Sequence, residues 1–330
     1  VVLVERLRSA IARINPQLPS ASVESVVATV LRAESQNATA ENLRVHQLLT
    51  QGVSVEHRAA DGAVRHALAW LVDYEHPERN DWLVVNQYTV VEAQRNRRPD
   101  VVVFVNGLPL AVLELKNPAD VNATLRGAFN QLQTYRSDIP SLFVHNALCV
   151  VSDGLGALMG SCTAGFEHYA PWKTIDGSTV VTDRPQLEVL VRGAFEPKRF
   201  VDLLRNFVVF SDEPSGLVKR VAKYHQFWAV NAAVESTIEA CGPSGDRRGG
   251  VVWHTQGSGK SFEMLCYAAK AMRSPELANP TIVLITDRND LDDQLYGEVF
   301  APARILPEAP KQATSRAEMR RLLDRTSGGI

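Results

Sequence analysis

The clearest hydrophobic pattern in the chain lies between Arg98 and Asn117, RPDVVVFVNGLPLAVLELKN. Two apolar runs flank Asn106-Gly107, and their charges sit only at the outer ends, at Asp100, Glu114 and Lys116. Runs this rich in Val, Leu and Phe predict buried strands. Asn-Gly between them predicts a hairpin. Upstream, residues 3–14 carry apolar positions at helical spacing, stopped by Asn15-Pro16. A second helix, capped by Ser20 or Ser22, is predicted to run to Arg32, and a short third one covers 42–49. Runs at 53–57, 66–72 and 82–91 predict strands, with a polar loop over 73–81. Beyond the hairpin, a helix from about 122 to 136 places Leu125, Ala128, Phe129, Leu132 and Tyr135 on one face. Residues 142–152 read as another apolar strand, which 155–161 can pair with. The pattern is α/β: a mixed sheet flanked by helices.

Residues 163–184 have no period and read as an ordered loop with aromatic anchors. Helices follow near 186–194 and 198–208. The stretch 211–216, SDEPSG, is short, polar and broken by Pro and Gly. It predicts a linker between a domain over 1–210 and a second one over 217–330. In the second, 217–240 predicts a long helix and 241–250 a break. Residues 250–254 and 281–286 predict short buried strands, with helices over 260–273 and 289–300. Strand, loop, helix, strand, helix is the opening of a doubly wound parallel sheet.

Composition narrows this picture. The length of 330 residues suggests two domains. A net charge of −2 gives no global attraction to nucleic acid, so any DNA contact must be a local patch. Cys149, Cys162, Cys241 and Cys266 form no CxxC pair and read as reduced core residues of a cytoplasmic protein. No apolar run approaches a membrane span. The first residues form an amphipathic helix rather than a signal peptide, and without an initiator Met the chain reads as part of something longer.

Charges on a buried hairpin need partners. Glu114 and Lys116 are two apart on a strand and share a face. A two-residue loop sets Val105 against Leu108, and counting back along both runs places Asp100 opposite Leu113, on the wrong face. A three-residue loop or one bulge restores Asp100 to Glu114, so the simple two-residue turn is not expected, and Gly107 suits a left-handed position. Two carboxylates and a lysine on one face suit phosphodiester hydrolysis. Asp100 and Glu114 would hold Mg²⁺, with the Leu115 carbonyl as a further ligand, and Lys116 would orient water or stabilise developing charge. The alternative is a solvent-facing ion pair at a sheet edge. Arg95, Arg97 and Arg98 either grip phosphate or form a solvated face. A third acid, such as Glu24 or Glu34, is left open.

A second constellation is Thr255-Gln256-Gly257-Ser258-Gly259-Lys260-Ser261. Its glycines let backbone N–H groups converge on a phosphate at a helix start. Lys260 would reach the outer phosphates and Ser261 would hold Mg²⁺. The strict motif has a further Gly where this chain has His254. The alternative is a glycine-rich turn without a ligand.

The RPD and ELK elements resemble the PD-(D/E)xK nuclease family. Gln131-Leu-Gln-Thr-Tyr135 resembles the QxxxY motif of that family, whose side chains share a helix face. The resemblance implies that Gln131 and Tyr135 position DNA near Lys116. HTQGSGKS resembles motif I of superfamily 2 helicases and translocases. Gln226 in KYHQFWAV matches the adenine-reading glutamine there, and ITDRNDLDDQL matches motif Ia. Alternatively, Asp287 to Asp293 is a charged first helical turn. No DEAD- or DEAH-like acidic box precedes Ile330, so useful ATP hydrolysis is not expected of this stretch alone. A nuclease followed by such a motor, together with FNQLQTYRSDIPSLF and LVKRVAKYHQFWAVNAAV, resembles the R subunit of type I restriction-modification enzymes. That resemblance implies a nuclease-like mixed sheet followed by the beginning of a RecA-like motor. It also implies Mg²⁺ and ATP as cofactors, double-stranded DNA as substrate, methyltransferase (M) and specificity (S) subunits as partners, and a much longer whole protein. Another nuclease–helicase fusion from repair or phage defence, or a non-catalytic DNA-binding module, are the alternatives.

Overall fold

Three helices open the chain, α1 (Val4–Ile14), α2 (Ser20–Leu31) and α3 (Ala38–Gln51), in a computed structural model that describes residues 1–58, 63–119 and 124–330. α1 buries Leu7, Ala10 and Ile11. It ends at the buried Asn15, whose amide donates to the carbonyls of Ile11 and Trp70. The expected serine cap of α2 is absent. Pro19 holds the cap position, Ser20 is already helical and Ser22 is buried, because proline supplies a ready-made φ at a helix start. α3 is longer than its apolar pattern because Asn37 caps it, accepting from the N–H groups of Thr39 and Ala40.

β1 (Val53–Arg58) pairs antiparallel with β2 (Val64–Ala69). The strand expected over 82–91 is broken. β3 (Trp82–Asn86) stops at Gln87, which takes φ 52, and β4 (Val90–Glu92) turns to pair with β5 (Arg95–Arg97). β6 (Val101–Val105), β7 (Leu108–Leu115), β8 (Leu148–Ser152) and β9 (Ala157–Gly160) complete a sheet of order β3-β6-β7-β8-β9. Only the β7–β8 neighbours in that sheet are parallel. A parallel step requires a crossover, and α4 (Leu125–Asp138) supplies it. Its expected start near 122 lies outside the described residues. Ala128, Phe129, Leu132 and Tyr135 of α4 share a core with Val102, Phe104, Val112 and Val151 of the sheet. The strand expected from 142 starts only at Leu148, because Pro140–Leu142 forms a 3-10 turn. In the 163–184 loop, Tyr169 and Trp172 are buried anchors, and Tyr169 packs edge-on against Phe129. α5 (Gln186–Ala194) and α6 (Pro197–Asn206) follow.

The segment 211–216 is not a linker. β10 (Val208–Glu213) runs through Ser211, Asp212 and Glu213, Pro214-Ser215 forms a turn, and β11 (Gly216–Val221) starts at Gly216. Pro and Gly serve a hairpin turn as well as a linker. Consequently α7 (Tyr224–Cys241) begins later than the helix expected from 217. The chain divides into two compact units, residues 1–205 with 219–221, and residues 206–218 with 222–330.

In the second unit, α8 (Lys260–Arg273) takes its expected bounds, and α9 (Asn289–Gln294) continues as a π-helix over Leu295–Phe300 before α10 (Arg316–Leu323). The strands expected at 250–254 and 281–286 are absent. Both runs are irregular, with Val251, Trp253 and Ile285 at 91, 88 and 85 % exposure. A buried parallel strand exists only through its neighbours, and neither run has a ladder partner among the described residues. Cys241 is exposed, against expectation, whereas Cys149, Cys162 and Cys266 are buried. No described helix is long and apolar enough to cross a membrane.

Candidate functional site

The hairpin turn is the two-residue type after all. Asn106 and Gly107 take φ 52 and 80, and Val105 faces Leu108. The register then shifts: Phe104 faces Pro109, but Val103 faces Ala111. Leu110 is thus the extra residue of a β-bulge, and beyond it Val101 faces Leu113. One step further brings Asp100 to Glu114. The expected bulge exists, but inside the strand rather than at the turn.

Asp100 is held from two sides. Its Oδ2 accepts from the Leu115 N–H at 2.8 Å, and its Oδ1 accepts from Gln87 Nε2 at 2.8 Å. The Gln87 N–H also donates to the Asp100 carbonyl at 2.9 Å. Gln87 was missed in the sequence. Its only trace is a polar pair, Asn86-Gln87, inside an apolar run. The left-handed conformation that breaks the strand is what brings Gln87 onto Asp100.

Glu114 is 3 % exposed. Its Oε1 accepts from Lys116 Nζ at 2.7 Å, while its Oε2 is buried with no hydrogen-bond partner among the described residues. Burial pushes the Glu114 carboxyl above its usual range, Lys116 opposes that rise, and the negative charge of Asp100 adds to it. Lys116 is anchored through its N–H to the Ser152 carbonyl at 2.8 Å. Tyr135 points from the buried face of α4, and its hydroxyl makes a long 3.4 Å contact to the Arg98 carbonyl. Burial, then the charges of Glu114 and Asp100, hold that hydroxyl well above the usual phenol range. Gln131 lies one turn earlier on α4, half-buried. Arg97 is committed to Asp138 at 2.5 Å, with Arg95 at 3.8 Å from the same carboxylate, and Arg98 is exposed. Glu24 is paired with Arg8. An orphaned buried carboxylate oxygen beside a second carboxylate fits a hard cation such as Mg²⁺. Asp100 and Glu114 carry the oxygens for it, and Leu115 adjoins both.

In the second unit, Gly257 and Gly259 take φ 81 and 88, and Gly259 caps α8. A Cβ on Gly259 would lie 2.5 Å from Gln226 Nε2. Lys260 Nζ donates to the carbonyls of His254 and Thr255 at 3.1 and 3.0 Å. Ser258 Oγ is buried and unpartnered among the described residues, while Ser261 is exposed at the start of α8. Gln226, expected to read adenine, closes the capping box of α7 in this structure. Its Oε1 accepts from the Lys223 N–H at 2.8 Å, and its Nε2 donates to the Ser258 carbonyl at 3.0 Å. His254, which replaces the first motif glycine, holds Glu263 at 2.7 Å. Arg288 pairs with Asp290 at the start of α9.

Comparison with known proteins bears on both units. Residues 1–168 match the model of the type I restriction enzyme R protein N terminus, and residues 225–330 match that of the SWI2/SNF2 ATPase. The type I restriction enzyme HindI endonuclease subunit of Haemophilus influenzae is 43 % identical over 336 residues, covering 100 % of this chain and 32 % of its own length. The provisionally named type I restriction enzyme MjaIXP endonuclease subunit of Methanocaldococcus jannaschii is 35 % identical over 352 residues, covering 100 % of this chain and 33 % of its own. The chain therefore spans about a third of the length of these curated relatives. With its first half matched by the family model and its whole length aligned to such subunits, the chain belongs to the type I restriction enzyme R protein N-terminus family.

Proposed function

We propose that the chain is the nuclease and ATP-binding part of a type I restriction endonuclease R subunit, which cleaves double-stranded DNA in a complex with M and S subunits. The observation that carries the nuclease reading is the bulged hairpin, whose register leads Asp100 towards Glu114, a carboxylate with one buried oxygen that has no hydrogen-bond partner among the described residues. Asp100, Glu114 and the Leu115 carbonyl would hold Mg²⁺. When bound, the ion supplies Lewis acidity to the phosphate and acidifies a water. Lys116, held by Glu114, would place a positive charge where the scissile phosphate develops negative charge. Gln131 and Tyr135, one turn apart on α4, would position the DNA backbone. In the second unit, Gly257, Ser258, Gly259, Lys260 and Ser261 form the phosphate loop for ATP, with Ser261 on its Mg²⁺. The Gln226 amide would exchange its bonds to the loop for the adenine edge. ATP-driven translocation belongs to the whole protein.

The test is DNA cleavage by the assembled R–M–S complex carrying Asp100→Ala or Lys116→Ala. Cleavage is expected to fall at least about a hundredfold, with ATP hydrolysis and translocation retained. Cleavage that survives both changes would sink the nuclease assignment.

A further inference from the structure

We propose that His225, His254 and Glu263 form a binding site for one divalent transition-metal ion of the Zn²⁺ class. Each residue offers one ligand atom, and these atoms lie within 4.8 Å of one another. They come from three places around the phosphate loop. His225 is in the first turn of α7, His254 immediately precedes the loop, and Glu263 is in the first turn of α8. The pieces already meet. His254 Nδ1 is 2.7 Å from Glu263 Oε1, and the two histidine rings stand edge to face with centroids 5.3 Å apart. Glu263 is 5 % exposed, so a nearby cation offsets the cost of its burial. His225 Nε2 lies 3.1 Å from the Ser258 carbonyl. When that nitrogen donates its proton, Nδ1 is left with a free lone pair, and a backbone acceptor on the far nitrogen is the usual support of a metal-bound imidazole.

The donor set decides the class of ion. Two imidazoles and one carboxylate suit Zn²⁺ and its first-row neighbours, whereas Mg²⁺ prefers oxygen ligands and retained water. Three protein ligands leave a position for water or an anion. The ion would tie the residue before the loop to the helices on either side of it. His254 also offers the carbonyl on which Lys260 rests, so the same ion would fix the resting place of the lysine. This site stands apart from the nucleotide reading and does not depend on it.

The experiment is titration of the chelator-stripped chain with Co²⁺, read by its visible absorption, followed by displacement with Zn²⁺. One ion per chain is expected, at roughly micromolar affinity or tighter, unaffected by millimolar Mg²⁺. His225→Ala and His254→Ala should each weaken binding at least about tenfold. Far-UV circular dichroism checks that the helices persist. Glu263→Gln keeps size and hydrogen bonding while removing the charge, and should also weaken binding. Absence of a Co²⁺ signal at about 100 μM, or unchanged affinity in both histidine variants, would overturn the proposal.

Discussion

His145 illustrates how one side chain can set the acid limit of the fold. It is 8 % exposed, and neither ring nitrogen has a hydrogen-bond partner among the described residues. Burial, with the positive charge of Arg44 adding to it and Glu41 opposing it, lowers its pKa to about 4. In the unfolded chain the ring titrates near 6.5. The unfolded state therefore binds more protons between these values. The contribution of His145 is fully present above about pH 6.5 and is lost as pH falls through about 4. Between pH 7.5 and pH 5 this is worth roughly 2 kcal/mol. His145→Leu should leave stability at pH 7.5 nearly unchanged and flatten its decline towards pH 5 by about that amount, measured by urea unfolding at both pH values. An equal decline in both proteins would remove His145 as the cause. Nothing in the sequence marks His145, because a lone histidine in an apolar stretch has no periodicity to betray an unpaired ring. Glu114 was legible for the opposite reason: a carboxylate at the end of a run of Val and Leu is conspicuous wherever the strand is buried.

At the level of the element, the hairpin separates what local chemistry dictates from what the partner strand dictates. Turn type is local. Asn106 and Gly107 both accept positive φ, so the two-residue turn forms. Asn106 is then locked, donating to the Leu71 carbonyl and to Asn80 Oδ1, and accepting from the Asp81 N–H. Register parity is not local. It requires an extra residue somewhere, and the strand absorbs it at Leu110, where the sequence carries no signal beyond one more apolar residue. The site was therefore readable as a pairing requirement but not as a bulge position. The break at Gln87 is similar, since its cause is the distant Asp100. Gly107 is the position where the turn tolerates no side chain. A Cβ there would lie 2.5 Å from the Leu3 carbonyl oxygen and 2.8 Å from the Leu7 nitrogen, both backbone atoms that cannot swing away. Together with φ 80, this predicts that Gly107→Ala costs about 1–3 kcal/mol. In urea unfolding the midpoint should fall with the slope unchanged. A midpoint equal to that of the unsubstituted chain would mean that α1 and the turn yield more readily than their packing implies.

Across the whole molecule, legibility follows the origin of each element's hydrogen bonds. Helices satisfy their own, so α1, α4 and α8 stand close to where their apolar spacing put them. The strands of the first unit find partners and form. Residues 250–254 and 281–286 read equally well as strands yet stay irregular, and a cavity of about 420 Å³ opens beside 281–286, lined in part by Ile282, Leu284, Tyr296 and Phe300. The division into two units nevertheless carries a functional consequence that substitutions can probe. Asp100 and Glu114 lie in the first unit and the proposed phosphate loop in the second, so each proposed chemistry can be removed alone. If translocation must precede cleavage, the two losses are not symmetric. Lys260→Ala removes the charge proposed to meet the outer phosphates, so ATP hydrolysis by the assembled complex should fall at least about a hundredfold, and cleavage should fall with it. Asp100→Ala should abolish cleavage while ATP hydrolysis stays within about twofold of the unsubstituted complex. The combined variant should cleave no more than Asp100→Ala alone and should hydrolyse ATP like Lys260→Ala alone, because residues acting in sequence on one outcome are non-additive. Robust cleavage by the Lys260→Ala complex would uncouple the nuclease from the motor and refute this order of events.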